Sequence, residues 1–225
     1  MASEEVMVSE VTKRLRRQLV LSRVSLTAAA ASVLGLIGAN GAGKTTLLRL
    51  LLGLMRPDSG RVSLFGNAPQ VALRMHRVAY FGGGARLPPT VRVGSWTGLL
   101  NPRNSTSRDR RQFGSLSRGQ RQLVGLRSVL DTRDARLVVL DEPWDGLDPR
   151  SAEWLSARLR DCRDRGAVVL VSSHRLDDLA SVCDRYAFLH AGRITTRTDD
   201  ELNSSAHAES LRLTFRQLTT EESNE

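Results

Sequence analysis

The sequence predicts an α/β fold with a mainly parallel β-sheet flanked by helices, and two observations predict it. Short apolar segments alternate with segments of helical periodicity along most of the 225 residues, a pattern typical of βαβ units. Two of these segments, residues 137–140 and 167–171, consist of apolar side chains alone. A strand without a polar face is buried on both sides, which is usual in a parallel sheet covered by helices.

The N-terminal part of the chain carries the weaker signals. Residues 1–18 are polar and rich in charge, and we expect a frayed polar segment there. Residues 19–26 and 33–37 are predicted strands because of their Val, Leu and Ile content. Residues 45–55 hold seven Leu or Met side chains and one breaker, Gly53, which predicts a buried helix.

The middle of the chain is less regular. Residues 62–65 and 78–81 are predicted short strands. Glycines, prolines and a stretch rich in Ser and Arg interrupt residues 82–116, where we predict no regular element. A helix is predicted over residues 118–130.

In the C-terminal part of the chain, predicted helices and strands alternate again. Asp148-Pro149 predicts a helix start, with Asp as the N-cap and Pro at the first helical position, and Gly166 marks the end of that helix. Residues 176–183 are a predicted helix, and residues 186–189 a predicted strand.

The composition is that of a folded cytosolic protein. Hydrophobic residues make up 40% and charged residues 25% of the chain, enough for one core and unlike a disordered segment. The formal net charge is +9, and all 33 basic residues except Lys13 and Lys44 are arginines spread along the chain. Without a basic cluster we expect no nucleic-acid partner. Glu4 and Glu5 are negatively charged, whereas a signal peptide begins with positive charge, so we expect no signal peptide. We also expect no membrane-spanning segment. The two cysteines are expected to be reduced.

A phosphate-binding loop is predicted directly after the strand at residues 33–37. The pattern G-x-x-x-x-G-K-[ST] is matched by eight residues: Gly38, Ala39, Asn40, Gly41, Ala42, Gly43, Lys44 and Thr45. Thr46, the next residue, is also expected to bind the nucleotide. Glycines let successive backbone N–H groups point at a phosphate, and the start of the following helix adds its positive end. In this pattern Lys44 reaches the β- and γ-phosphates, and the Thr45 hydroxyl binds Mg²⁺.

A pair of acids at the end of the strand at residues 137–140 is the expected companion of this loop. Asp141 is placed to hold Mg²⁺, and Glu142 lies one residue nearer the attacking water as a general base. Taken alone, the two acids could equally cap a strand end. Beside a phosphate-binding loop they predict a nucleotide triphosphatase.

Three further segments indicate which class of nucleotide triphosphatase the sequence resembles. Leu116-Ser117-Arg118-Gly119-Gln120 precedes the acidic pair, Asp145-Gly146-Leu147-Asp148 follows it, and His174 comes just after the next predicted strand. Alone, the first is an ordinary helix cap and His174 an ordinary surface histidine. In this order, together with the phosphate loop and the acidic pair, they resemble the ATP-binding cassette (ABC) family, the nucleotide-binding subunits of ABC transporters.

This resemblance implies a fold and a domain organisation. It implies a P-loop NTPase of the ABC ATPase type, with an N-terminal antiparallel β part and a shortened helical subdomain. Residues 1–18 are then a polar N-terminal segment, residues 19–218 the ABC ATPase domain and residues 219–225 a polar tail. The helical subdomain, which carries the signature segment, is expected at about residues 84–130.

The resemblance also implies how ATP and Mg²⁺ are bound. Two ATPase subunits, as a homodimer or heterodimer, stack head to tail, so that each ATP lies between the phosphate loop of one and the signature segment of the other. Ser117 and Gly119 then contact the γ-phosphate in trans, and Asp148 belongs to the segment that couples the two sites. His174 contacts the γ-phosphate and positions the water.

The C-terminal segment, from Asp184-Arg185-Tyr186 to residue 218, is similar to that of bacterial exporter subunits encoded apart from their permease. The resemblance therefore implies a separate membrane permease as partner. It implies ATP hydrolysis that powers export, by a cytoplasmic protein held peripherally on the inner face of the cell membrane. The transported substrate is chosen by the permease, so this sequence does not specify it.

The sequence departs from the family pattern at three points. Gly83 stands where a glutamine is normal, and no aromatic residue lies near residues 16–18 to stack on adenine, although Arg17 is a possible substitute. Only the 32 residues 84–115 separate Gly83 from the signature segment, fewer than a full helical subdomain needs.

Two alternative functions stay open at this level. A degenerate cassette would bind ATP and regulate or structurally support a partner with little turnover. A P-loop kinase would explain the phosphate loop but gives no account of Glu142, His174 or the signature segment. The presence of Lys44, Asp141, Glu142 and His174 favours the transporter ATPase.

Overall fold

The structure, a computed structural model, describes residues 4–83, 88–100, 109–131, 134–198, 201 and 207–221. Within these residues the strands are β1 Glu4–Leu15, β2 Gln18–Ala29, β3 Ser32–Ile37, β4 Ser59–Leu64, β5 Val78–Phe81, β6 Leu137–Asp141, β7 Val168–Ser173, β8 Arg185–His190 and β9 Arg193–Thr198. The α-helices are α1 Lys44–Leu51, α2 Pro69–Met75, α3 Val93–Leu100, α4 Arg118–Leu130, α5 Pro149–Asp164, α6 Leu176–Ala180 and α7 His207–Glu221. None of these helices is both long enough and apolar enough to pass through a bilayer.

A six-stranded sheet forms the centre of the fold, in the order β5-β6-β7-β3-β8-β9. The first five strands are parallel, and β9 is antiparallel to β8 at the edge. Strands β3, β6 and β7 are buried along their whole length, as their apolar sequences predict. The predicted mainly parallel sheet is confirmed.

A second, antiparallel sheet has the order β2-β1-β4 and confirms the N-terminal antiparallel part. The frayed segment expected for residues 1–18 is wrong, because Glu4–Leu15 form a strand paired on both sides. Its buried side chains are Val6, Val8 and Val11. The register shifts between Val8 and Val11, so the buried residues do not alternate strictly and the strand signal is masked in the sequence.

Two apolar clusters cover the two faces of the central sheet. One joins the antiparallel sheet and the Leu side chains of α1 to the central sheet. The other packs α4, α5, α6 and α7 against the opposite face, with Leu126, Leu155, Leu179 and Leu211 in its interior. The central sheet is therefore held between two layers, and only its strand ends are free to build a site.

The region around the signature segment has a small core of its own. Val93, Phe113 and Leu116 are buried there, with Trp96 and Val124 packed against them. Helix α3 lies where we predicted no regular element. Two glycines within its eight residues weaken the helical signal. Residues 84–87 and 101–108 of the expected short helical subdomain, and residues 222–225 of the expected polar tail, lie outside the described residues.

Gly60 in β4 offers a test of this packing. Its φ is +83°, and a Cβ atom there would collide with the carbonyl group of Glu10 in the neighbouring strand β1. We expect Gly60→Ala to lower the free energy of unfolding by about 3 kcal/mol, since left-handed strain of about 1–2 kcal/mol adds to the clash. Urea denaturation measures the loss.

Gly66→Ala is the matched control. Gly66 has a similar φ of +75°, but a Cβ atom added there would have no heavy atom within 4 Å, so only the backbone strain remains. Equal losses of unfolding free energy in the two variants would contradict the close approach of β1 and β4.

Candidate functional site

Three neighbouring strands of the central sheet end at the same edge and bring the predicted site residues together. The phosphate loop follows β3, Asp141 is the last residue of β6, and His174 follows β7. Because β6, β7 and β3 are adjacent and parallel, these three strand ends meet at one edge. The carboxyl edge of a parallel sheet is the usual ligand site of open α/β folds.

Two glycines fix the phosphate loop. Gly43 precedes α1 with a φ of +108°, and a Cβ atom there would lie 3.0 Å from Val20 of β2. At Gly38, a Cβ atom would lie 2.6 Å from the carbonyl oxygen of Leu189 in β8. Side chains at these positions would push the loop away from the strands that support it, so the two glycines serve the loop's geometry.

The ammonium group of Lys44 is buried, with 6% of the side chain exposed, and two of its three donors are hydrogen bonded to the phosphate loop. Nζ donates to the carbonyl oxygens of Gly38 at 2.6 Å and Ala39 at 3.3 Å. It also lies 3.1 Å from Oε1 of Glu142. The loop thus holds the cation at the strand edge, at ion-pair distance from Glu142 but without a hydrogen bond to its Oε1.

One carboxylate oxygen of Glu142, Oε2, is held by hydrogen bonds, and the other makes only an ion-pair contact. Oε1 faces Lys44, and Oε2 lies 2.9 Å from Nδ1 of His174 and accepts the backbone N–H of His174 at 3.2 Å. Glu142 has a φ of +47°, in the left-handed region that non-glycine residues rarely adopt. The structure therefore brings Lys44, Glu142 and His174 into one chain of polar contacts.

Asp141 and Thr45 form an oxygen-donor pair suited to Mg²⁺. Thr45 Oγ1 donates to Asp141 Oδ2 at 2.7 Å, and Asp141 is only 7% exposed. In the described part of the chain, no cationic side chain forms an ion pair with this buried carboxylate. A buried charge met only by neutral hydroxyls is compatible with a hard cation beside it, so the two residues fit the metal.

A cleft of about 450 Å³ opens along the phosphate loop and the acidic pair. Gly82 and Gly83 also line it, and a Cβ atom added at Gly83 would lie 3.6 Å from the Asp141 carbonyl oxygen. Gly83 therefore lies beside the acidic pair, where the family alignment puts it. At the other end, the cleft is lined by Leu15, Gln18 and Val20 from the hairpin β1–β2.

The signature segment and the segment after the acidic pair lie outside this cleft and support each other. Ser117 caps α4, because its Oγ accepts the backbone N–H of Gln120 and its own N–H donates to the Gln120 side chain. A Cβ atom at Gly119 would collide with the carbonyl oxygen of Gly146. Arg118 donates to Asp145 at 3.4 Å, which joins the two segments again.

Asp148 caps α5 as the sequence predicts. The backbone N–H of Ser151 donates to Oδ1 at 2.9 Å, and the Ser151 hydroxyl donates to Oδ2 at 3.1 Å. These bonds, the backbone one first, hold the pKa of the Asp148 carboxyl below its usual range. Both oxygens are used within the same chain, so Asp148 positions the start of α5.

The sequence analysis missed two features of the site. Ser172, fully buried in β7, donates from Oγ to Oδ1 of Asp141 at 2.5 Å. Two serines ending an apolar strand just before His174 were the available signal. Leu15 and Val20 line the cleft where an aromatic residue was sought, and only the fold of the β1–β2 hairpin brings them there.

Comparison with known sequences identifies the family. The family model described as ABC transporter matches residues 21–145. The lipopolysaccharide export system ATP-binding protein LptB of Acidithiobacillus ferridurans is 32% identical over 218 residues, which cover 86% of this chain and 90% of that protein. The Nod factor export ATP-binding protein I of Burkholderia lata is 34% identical over 204 residues, 81% of this chain and 67% of that protein.

Solved structures of ATP-binding subunits share the fold of this chain. The structure of an ATP-binding subunit of an ABC transporter superposes with a TM-score of 0.82 at 25% identity, covering 96% of this chain and 99% of that one. A nucleotide-free ATP-binding cassette from an ABC transporter shares the fold, with a TM-score of 0.71 at 22% identity over 88% and 93% of the two chains. With its phosphate loop, acidic pair and signature in the expected order, the chain belongs to the ABC transporter family, as an ATP-binding and ATP-hydrolysing subunit.

Proposed function

We propose that this subunit powers export through a separate membrane permease, and that the permease holds it on the cytoplasmic face of the membrane. The names of the similar proteins from Acidithiobacillus ferridurans and Burkholderia lata, both export proteins, support this direction of transport. The observation that carries the hydrolytic part is the contact of 3.1 Å between Lys44 and Glu142 at the edge of the sheet.

This contact links substrate binding to the general base. Two donors of Lys44 are fixed by loop carbonyls and the third makes no hydrogen bond to Glu142, so a phosphate oxygen can accept from this donor and replace Glu142 as the partner of the cation. A triphosphate carries several negative charges and outcompetes one carboxylate for the ammonium group. Oε1 of Glu142 is then free, while Oε2 stays held by His174.

Hydrolysis follows from this arrangement. The freed Oε1 of Glu142 accepts a proton from the attacking water while the water oxygen bonds to the γ-phosphorus, and His174 keeps the carboxylate in place. The bond from the γ-phosphorus to the bridging oxygen breaks, and ADP and inorganic phosphate leave. Backbone N–H groups of the phosphate loop and the start of α1 bind the phosphate oxygens. Thr45 and Asp141 hold Mg²⁺, which when bound neutralises phosphate charge. Glu142 thus acts as base only after a phosphate has engaged Lys44.

The second half of the site comes from another subunit in this proposal. Ser117 and Gly119 lie at the start of α4, outside the cleft of their own chain, with Ser117 exposed and Gly119 half-buried. The positive end of this 13-residue helix is suited to a γ-phosphate presented by a partner. A homodimer or a heterodimer of ATPase subunits completes the site in this way.

A second candidate function is supported by one observation. Gly83, beside the acidic pair, has no side chain to reach the metal or the water. A cassette with little turnover, which binds ATP and regulates or supports its partner, would tolerate this loss. Steady-state ATPase activity with and without the permease separates the two functions.

We expect Glu142→Gln to keep ATP binding and to lower kcat by about 10²–10⁴, because the amide cannot accept the proton of water. Lys44→Ala is expected to lose ATP binding itself, since a buried cation aimed at the phosphates is removed. Fluorescence titration with an ATP analogue and a phosphate-release assay separate the two effects.

Glu153→Gln is the matched control, because Glu153 is exposed on α5 and makes the same change of charge away from the cleft. It is expected to behave as wild type in both assays. Hydrolysis by Glu142→Gln at the wild-type rate would remove Glu142 as the base.

The composite site is tested by the assembly state. The Glu142→Gln protein is expected to dimerise with ATP and to stay monomeric with ADP, because the trans contacts need a γ-phosphate. Light scattering with each nucleotide measures the mass. A monomer at saturating ATP and Mg²⁺ would argue against contacts by Ser117 in trans.

The loop at Gly83 gives a further prediction. Gly83→Gln is expected to raise basal hydrolysis or sharpen its Mg²⁺ dependence, because an amide then lies beside the acidic pair. With a φ of +75°, any side chain there costs about 1–2 kcal/mol of strain. Gly83→Ala carries the same strain without the amide and is the control. If the Gln and Ala variants hydrolyse ATP equally, Gly83 is unrelated to the metal.

A further inference from the structure

Ser172 lies where the two acidic residues of the site meet β7. It is the fifth of six residues in this strand and is 0% exposed. The preceding residues of β7 are Val and Leu, and β6 beside it is equally apolar up to Asp141. A hydroxyl in such a strand is costly unless it is hydrogen bonded, so the contacts of this one are informative.

The Ser172 hydroxyl bonds to both acidic residues. Its Oγ donates to Oδ1 of Asp141 at 2.5 Å and accepts the backbone N–H of Glu142 at 3.1 Å. The direction of both bonds is fixed, because an ionised carboxylate only accepts and an amide only donates. The Glu142 N–H also donates to the backbone carbonyl oxygen of Ser172 at 3.1 Å.

The two oxygens of Asp141 are thereby assigned different roles. Oδ2 faces the Thr45 hydroxyl at 2.7 Å, which makes it the oxygen on the metal side of the carboxylate. Oδ1 is held from behind by Ser172. A metal that displaces the Thr45–Asp141 bond leaves the Ser172 bond intact, so the carboxylate keeps its orientation.

The same hydroxyl supports the backbone of Glu142. That residue has a φ of +47°, a conformation that persists only where its surroundings enforce it. Its N–H is shared between two acceptors of Ser172, one on the side chain and one on the backbone. The direction in which the Glu142 side chain leaves β6 therefore depends on Ser172.

We propose that Ser172 is a positioning residue that orients the Asp141 carboxylate for Mg²⁺ and fixes the start of the Glu142 side chain. This inference rests on the proposed function. Ser172 is fully buried and does not line the cleft, so it acts through the two acids. Groups that hydrogen bond to a metal ligand typically contribute 10- to 100-fold to metal affinity or activity.

The test compares Ser172→Thr with Ser172→Val. The two side chains have nearly the same shape and both suit a strand, so the added volume is common to both and the hydroxyl is the difference. Isothermal titration calorimetry measures ATP binding with Mg²⁺ and with EDTA. We expect Val to lose about tenfold or more of the Mg²⁺-dependent gain in ATP affinity, and Thr to retain it.

Two further variants separate loss of the hydroxyl from the effect of added side-chain volume and from a general effect of replacing a buried serine. Ser172→Ala removes the hydroxyl without adding volume and is expected to lose the same Mg²⁺-dependent gain, even if the larger side chains do not fold. Ser32→Ala is the control, since Ser32 is also a buried strand serine, but its Oγ donates to Ala29 away from the site. It is expected to match wild type.

The outcomes separate this inference from the proposed function. If wild type itself shows no ATP binding that depends on Mg²⁺, the proposed function fails. If wild type binds Mg²⁺ with ATP and the Thr, Val and Ala variants share its Mg²⁺ dependence, only the positioning role of Ser172 fails. A lower kcat in Ser172→Val but not in Ser172→Thr, at equal thermal stability of the two variants, supports the proposal that Ser172 fixes the start of the Glu142 side chain.

Discussion

The nucleotide site depends on the hydrogen bonds that compensate the buried charge of the Asp141 carboxylate. A carboxylate that is 7% exposed is costly unless donors surround it, and here each oxygen accepts one hydroxyl. Thr45 comes from the helix after the phosphate loop, and Ser172 comes from the neighbouring strand β7. One carboxylate therefore ties β6, β7 and α1 together, and this fixes the position of the phosphate loop relative to the acidic pair.

From Asp141, the polar contacts extend to the residues with proposed catalytic roles. Glu142 leaves β6 through a left-handed backbone and reaches Lys44 on one side and His174 on the other. Lys44 has its remaining partners in the carbonyl groups of its own loop, and the backbone of His174 adds a second bond to Glu142. The arrangement is thus organised in advance, and in the proposed mechanism a phosphate replaces Glu142 as the ionic partner of Lys44. Such organisation lowers the cost of reaching a reactive geometry.

In the signature region, residues that cap the starts of helices also lie at the surface proposed to bind the partner subunit. Ser117 caps α4, Asp148 caps α5, and the close approach of Gly119 to Gly146 sets these two helix starts side by side. The caps satisfy backbone groups that every helix start leaves open. They also keep two loops ordered at a surface that, in the proposed dimer, faces the nucleotide of the partner.

The features that depend on local spacing can be predicted from the sequence: the phosphate loop, the acidic pair, helix α4 at Arg118–Leu130 and the cap at Asp148. Turn chemistry, capping and apolar runs act over a few residues, so they can be read directly. The strand at Glu4–Leu15, the contacts of Ser172 and the lining of the cleft by Leu15 are seen only in the three-dimensional structure. These depend on which strands are neighbours, because burial and hydrogen bonding there come from residues far away in the chain.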